Sequence, residues 1–281
     1  MPNEGFPNGA KKVELSPKEE KQLRSKIEKR NGSVSDSMIT DQGRFYDARA
    51  GIYDSQNEMP ERAERLKEID EYFARKLKGL LKPGGLTYLD FGCATGTHTE
   101  QFISHLTNNN IEKGYGVDIS GEMVKIATQT LPEFSITQGG AEKINFNEKF
   151  DLMTSFYHAL GHLTEAELEL FFQNASRSLK PGGILCFDVI KDIGHIRTML
   201  LNRKLQKKGK GKYVTYYSKL PDGSFVKGNN DQPIIGSVRM FSEKEIANLA
   251  KENNFEVVEI NTLHFFEELF EEFTVILKKQ I

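Results

Sequence analysis

The segment Asp90-Phe91-Gly92-Cys93-Ala94-Thr95-Gly96 sets an acid beside a run of small residues, at the end of the apolar stretch Thr87–Phe91. Small side chains let a ligand lie against the main chain. With a strand leading in and a helix leading out, such a turn also gathers backbone N–H groups and the positive end of a helix dipole at one point. Several nucleotide-binding folds share glycine turns of this kind, so the turn alone leaves the ligand open. A second acid narrows the choice. Gly114-Tyr115-Gly116-Val117-Asp118 ends 22 residues past Gly96, where a carboxylate can accept two hydrogen bonds from ribose hydroxyls. The plainer role for Asp118 is to cap the helix that follows Ser120. Together the two acids point to a nucleoside-containing ligand. Just past a later apolar run stand Tyr157 and His158, and a histidine there can take a proton from an amine or hydroxyl near neutral pH.

These groups need strands to carry them. The pattern predicts strands at Thr87–Phe91, Gly114–Ile119, Phe134–Gln138, Asp151–Phe156 and Ile184–Val189. Helices are predicted from Pro60 to Leu81 and from near Thr97, Gly121 and Glu165, the last two behind Ser120 and Thr164 as N-caps, with Glu167 completing a capping box. Alternating strands and helices of this length give a mostly parallel sheet with helices on both faces. After Ile190 the alternation stops. Residues 191–240 read as an insertion, followed by a helix capped by Ser242 and closing strands at Phe255–Asn261 and Phe273–Lys278. Residues 1–40 read as a polar leader holding one helix, from the capping box at Ser16 to Arg30. The expected organisation is therefore that leader and one α/β domain over residues 41–281.

The order of the motifs separates the cofactors. A nicotinamide site would want G-x-G-x-x-G, whereas the turn here reads Asp90-x-Gly92-x-Ala94-x-Gly96. Gly139-Gly140-Ala141-Glu142 follow the third strand, Phe150-Asp151 open the fourth, and Leu179-Lys180-Pro181-Gly182-Gly183 lead into the fifth. In this succession the chain resembles the class I S-adenosylmethionine-dependent methyltransferases from about Gly43 to Lys279. "SFYHALGHL", at Ser155–Leu163, resembles the small-molecule branch exemplified by glycine N-methyltransferase, as do an arm bearing Tyr46, Tyr53 and Arg62, the insertion and the final strand.

The resemblance implies a Rossmann-like seven-stranded sheet, an N-terminal helical arm and an insertion after strand 5 that closes the site. It implies S-adenosyl-L-methionine as cofactor, with Gly92, Ala94 and Gly96 under its methionine and ribose parts and Asp90 holding the turn. Ala94 departs from the family's more usual glycine. Asp118 would bind the ribose, Ile119 and Met123 would lie along the adenine, and Ala141 and Glu142 would read the adenine edge. Ser155 and Tyr157 would face the sulfonium, where an aromatic face suits a cation. Tyr53 would help close the cofactor site. Arg62, with Arg65 as its rival, would bind the cofactor's carboxylate in bidentate fashion. The acceptor would be a small molecule methylated at nitrogen or oxygen, with His158 and Tyr157 as catalytic residues.

Other features bound the reading. The formal net charge is −2, which gives no global reason to expect nucleic acid. The local exception is the basic stretch Arg203–Lys212, through which a methyltransferase acting on nucleic acid or protein would work; a non-catalytic S-adenosylmethionine-binding protein is a further alternative. His158 and His162 have metal-ligand spacing, but no third ligand suggests itself and no metal is expected. No apolar run approaches a membrane span. The two cysteines, Cys93 and Cys186, make no disulfide framework, and a reducing, cytoplasmic setting is expected.

Overall fold

The computed structural model describes residues 42–58, 60–106, 109–144, 149–192, 206–208, 213–217, 235–265 and 270–281. The leader at 1–40, with its helix from Ser16, lies outside the described residues, as does most of the insertion, including seven of the ten positions of the basic stretch.

In chain order the helices are α1 (Gln42–Asp47), α2 (Tyr53–Asn57), α3 (Pro60–Leu77), α4 (Thr97–Ser104), α5 (Gly121–Thr130), α6 (Glu165–Ser178) and α7 (Glu243–Glu252). The strands are β1 (Gly84–Phe91), β2 (Asn109–Asp118), β3 (Phe134–Gln138), β4 (Phe150–Ser155), β5 (Leu179–Lys191), β6 (Gln206–Lys208), β7 (Tyr213–Tyr217), β8 (Ile235–Phe241), β9 (Phe255–Phe265) and β10 (Phe270–Lys279). Strands β3-β2-β1-β4-β5-β10-β9 form the central sheet, all parallel except β10, which runs antiparallel to β5 and β9. This is the mostly parallel sheet that the alternation predicts, in the Rossmann-like arrangement that the resemblance implies. The insertion adds an antiparallel ribbon, β6-β7-β8, joined to the sheet where β8 runs parallel to the end of β5 at Ile190 and Lys191.

Alternation along the strands fills two cores. On one face Leu89, Met153, Leu185 and Phe187 pack with Phe171 and Phe172 of α6 and Ile246 of α7. On the other, Tyr88, Leu152, Ile184 and Cys186 pack with Ile69, Phe73 and Leu77 of α3 and Phe102 of α4. Successive residues of one strand thus serve opposite layers, as a sheet buried on both faces requires. The caps also form as the sequence implies. The Ser120 hydroxyl accepts from the Met123 N–H, and Thr164 with Glu167 makes both bonds of the capping box. Helix α3 stops at Leu77, short of Leu81, because the chain turns back at once and the Leu80 and Leu81 N–H groups both return to the Leu77 carbonyl.

Candidate functional site

The β1–α4 turn lies at the carboxyl edge of the parallel strands, where ligands bind in open α/β sheets. Its backbone is left-handed at three positions: Gly92 (φ 79°), Ala94 (φ 47°) and Gly96 (φ 80°). At Gly92 a Cβ would stand 2.6 Å from the Ala159 Cβ, and at Gly96 it would stand 2.9 Å from Leu131. Ala94 carries the strain that glycine would avoid, and its N–H is held by the Asp118 carboxylate at 2.9 Å. Ala94→Gly should therefore raise the unfolding free energy by up to about 1 kcal/mol, because relief of a left-handed alanine exceeds glycine's extra unfolded-state entropy. Denaturant titration checks this; an unchanged or lower midpoint contradicts it.

Asp118 both holds the turn and caps the next helix. One carboxylate oxygen accepts from Ala94 N–H and the other from Ser120 N–H, each at 2.9 Å. Burial pushes its pKa up to about 6, against those two backbone N–H groups. Asp90 is 3% exposed and accepts from the hydroxyls of Thr99 and Thr154, tying β1 to α4 and β4. Burial pushes its carboxyl up as well.

Two cavities flank the turn. The larger, about 340 Å³, lies toward α3 and α4 and is lined by residues that include Asp54, Asp70, Asp90 and His98. The second lies toward β2 and β3, where Asp118, Ile119, Met123, Gly139 and Gly140 line it. Tyr53, Gly92, Ala94, Phe156 and Tyr157 line both. Tyr53 is buried enough, and close enough to Asp118, for its pKa to be pushed up to about 12, so it stays a neutral phenol. Burial also pushes the Tyr157 phenol up, and its hydroxyl has no hydrogen-bond partner among the described residues.

The arm closes over this edge through two carboxylates that the sequence reading passed over. Asp47 accepts from the Ser120 hydroxyl at 2.6 Å and from the Glu122 N–H at 3.1 Å, at the start of α5. Asp54 accepts from the Thr95 and Thr97 hydroxyls at 2.7 and 3.1 Å, at the start of α4. An anion suits both helix N-termini. Another unforeseen pair is Asp70 with His98, Oδ1 to Nε2 at 2.6 Å, the imidazole packed on the Tyr157 ring with centroids 4.1 Å apart. Spacing offered no clue to it, since the two residues stand 28 positions apart on different helices.

The other expected residues fall into two groups. Ile119 and Met123 are in the second cavity, whereas Ala141 and Glu142 stand beside it. The Ala141 carbonyl accepts from Asn174 and the Glu142 carboxylate from Gly140 N–H, so Gly139 and Gly140 face the space instead. Ser155 is fully buried under the edge. Arg62 is exposed, outside both linings. His162 lines the second cavity and pairs with the Tyr46 hydroxyl at 2.8 Å.

His158 turns away from both cavities into a cluster with Arg65, Asp188 and Glu272. Its Nε2 is 3.0 Å from Glu272, 3.3 Å from Asp188 and 3.0 Å from the Arg65 guanidinium. Arg65 in turn donates to Glu272 at 2.7 Å. Tyr157 (φ 57°) and His158 (φ 62°) are both left-handed, which neither side chain favours. Asp188, fully buried, holds that turn by accepting both backbone N–H groups, at 2.7 and 3.2 Å. Burial opposes ionisation of Glu272, but His158 and Arg65 outweigh it and hold its carboxyl at about 2. The ligand-type atoms of His158, Asp188 and Glu272 lie within 4.8 Å of one another, and the Arg65 guanidinium already supplies a cation among them. No described helix is long and apolar enough to cross a membrane.

Comparison with known proteins bears on the same region. Residues 89–183 match a family model described as a methyltransferase domain. Over 173 residues the chain is 33% identical to an uncharacterized protein of Methanocaldococcus jannaschii, covering 60% of this chain and 61% of that one. Over 104 residues it is 29% identical to dTDP-3-amino-3,4,6-trideoxy-alpha-D-glucopyranose N,N-dimethyltransferase of Streptomyces venezuelae, covering 37% of this chain and 42% of that one. The chain thus spans less than two-thirds of the length of either relative. The crystal structure of an S-adenosylmethionine-dependent methyltransferase from Clostridium acetobutylicum ATCC 824 superposes with a TM-score of 0.61 at 20% identity, over 84% of this chain and 99% of that one. That likeness shows a shared fold.

Proposed function

We propose that the chain, with a methyltransferase domain at residues 89–183, moves the methyl group of S-adenosyl-L-methionine to a nitrogen of a small-molecule acceptor. The observation that carries the reading is the junction of the two cavities at Tyr53, Gly92, Ala94 and Tyr157. The residues suit the cofactor: Gly92 leaves the main chain open, Asp118 keeps lone pairs for the ribose hydroxyls, and Ile119 and Met123 offer an apolar wall for adenine. When bound, the cofactor supplies a methyl group made electrophilic by the sulfonium.

The chain's own part is alignment. Holding nucleophile and methyl in line accounts for most of the rate such a site can give. Tyr53 and Tyr157, neutral and aromatic, wall the junction where a cation is favoured. His158 is engaged by Arg65 and Glu272, so its part is to hold the Tyr157 turn, and Tyr157 stands at the acceptor side. Arg65 belongs to that same support, and Ala141, Glu142 and Ser155 shape the edge from behind. Nitrogen is preferred to oxygen because the Streptomyces venezuelae relative is, by its name, an N,N-dimethyltransferase of an amino sugar nucleotide.

The Asp118 shift has a consequence for binding. A carboxyl whose pKa is raised to about 6 in the fold is stabilising when protonated, and that contribution is lost as pH rises through 6. Ribose hydroxyls donate to the ionised form. Affinity for S-adenosylhomocysteine should therefore fall by about tenfold between pH 8 and pH 5, read by calorimetry. A flat profile would remove Asp118 from the ribose contact.

The proposal itself is tested by incubating the protein with methyl-labelled S-adenosylmethionine and a panel of small-molecule amines, alcohols and nucleic acids. Label should appear on an amine. Label on hydroxyls or nucleic acid alone, or tight cofactor binding with no transfer to any acceptor, would overturn it.

A further inference from the structure

The family resemblance implies Arg62, with Arg65 as its rival, for the cofactor's carboxylate, yet Arg62 is exposed outside both cavities and Arg65 is bound into the cluster with Glu272. A partly buried basic group does face the larger cavity. His98 is 13% exposed at its side chain and packs against Tyr157 at the junction. The other basic side chains lining that cavity are Lys67, whose side chain is 69% exposed, and His105 at the far end of α4. A ligand whose adenosine lies along Asp118 and Met123 continues past Gly92 into this cavity, and its amino-acid tail arrives beside His98.

We infer that His98, oriented by Asp70, binds the α-carboxylate of the cofactor's amino-acid tail and so selects S-adenosylmethionine and its product over adenosyl thioethers that lack the tail. This rests on the methyltransferase reading above. The Asp70 carboxylate is 3% exposed and takes its side-chain hydrogen bond from His98 Nε2, which fixes the ring. Nδ1 has no protein hydrogen-bond partner among the described residues and is left for the ligand. In the complex the ring bridges two carboxylates, Nε2 toward Asp70 and Nδ1 toward the ligand's tail, each carboxylate accepting an N–H from the imidazole. The cavity's acids complete the match to a zwitterion. Asp54 and Asp90 take hydroxyl donors from their own threonines and keep lone pairs for the tail's ammonium group. Asp70 touches no ligand in this scheme; it is a positioning residue acting through His98.

The test compares two ligands that share adenosine and differ in the tail: S-adenosylhomocysteine and 5′-methylthioadenosine. Calorimetry is run on the full chain, on His98→Ala, on His98→Gln and on Asp70→Asn, with circular dichroism to confirm that each folds. His98→Ala should weaken S-adenosylhomocysteine binding tenfold or more and change 5′-methylthioadenosine binding less than twofold. Asp70→Asn should show the same selective loss to a smaller degree. His98→Gln, which keeps one donor, should lose less than His98→Ala. Equal losses for both ligands would mean that His98 only supports the cavity wall, and unchanged S-adenosylhomocysteine binding would remove it from the tail; either result overturns the inference while leaving the methyltransferase reading in place. If the unaltered chain binds neither ligand, that reading fails and the inference fails with it.

Discussion

Replacing Gly92 with valine should lower affinity for S-adenosylhomocysteine by at least about a hundredfold. Gly92 sits at φ 79°, and an added Cβ would already stand 2.6 Å from the Ala159 Cβ. A β-branched residue at a left-handed position is strained before any contact is counted. The turn would have to move, and it lines both cavities. The sheet lies behind it, so the far-ultraviolet circular dichroism of the variant should keep its helical signal. A hundredfold is about 2.7 kcal/mol, less than the strain and the blocked approach together can supply. A folded variant that binds normally would make the turn a packing feature alone.

The second large effect is expected at Asp188. Asp188→Ala removes a fully buried carboxylate that accepts the Tyr157 and His158 N–H groups and faces the imidazole and Arg65. Each orphaned N–H costs about 1–3 kcal/mol, and breaking a buried charge cluster typically costs about 3–5 kcal/mol in all. For a domain of this size that is a fall in Tm of roughly 10 °C. Two successive left-handed residues would lose their support, so Tyr157 would leave the junction and methyl transfer would fall further than stability alone explains. Differential scanning fluorimetry reads the first part and single-turnover transfer the second. A Tm within 2 °C of the parent would show that the turn holds itself.

Most of the fold was legible because its signals are local. The small-residue turn, the acid at the end of β2, and the caps at Ser120 and Thr164 each lie within a few residues, and each forms as read. The split of Tyr88 from Leu89, and of Leu152 from Met153, into opposite layers was seen only in the fold, because strands buried on both faces are apolar at every position. The site was legible only where one strand end carried it. Asp118, Ile119 and Met123 line the cavity because they follow directly from β2.

What the sequence hid depends on distant partners. His158 follows β4 where an acceptor-facing side chain belongs, but a left-handed turn there directs its ring to Arg65, 93 positions away, and to Glu272 on β10. No periodicity announces two positive φ values in a Tyr-His pair, and no spacing links Asp188 to the N–H groups that hold them. Arg65 is drawn from the cofactor for the same reason, since a buried Glu272 needs a cation. The arm's Asp47 and Asp54 belong to no motif that would set them apart in the sequence. Their role appears only when α4 and α5 present their first turns side by side.

The central claim is that the β1–α4 turn and Asp118 hold S-adenosylmethionine, and one calorimetric comparison bears on it most directly. Titrating the protein with S-adenosylhomocysteine and, separately, with NAD should give one saturable site for the first and no measurable heat for the second. Binding of NAD with no binding of S-adenosylhomocysteine would contradict the account at its root.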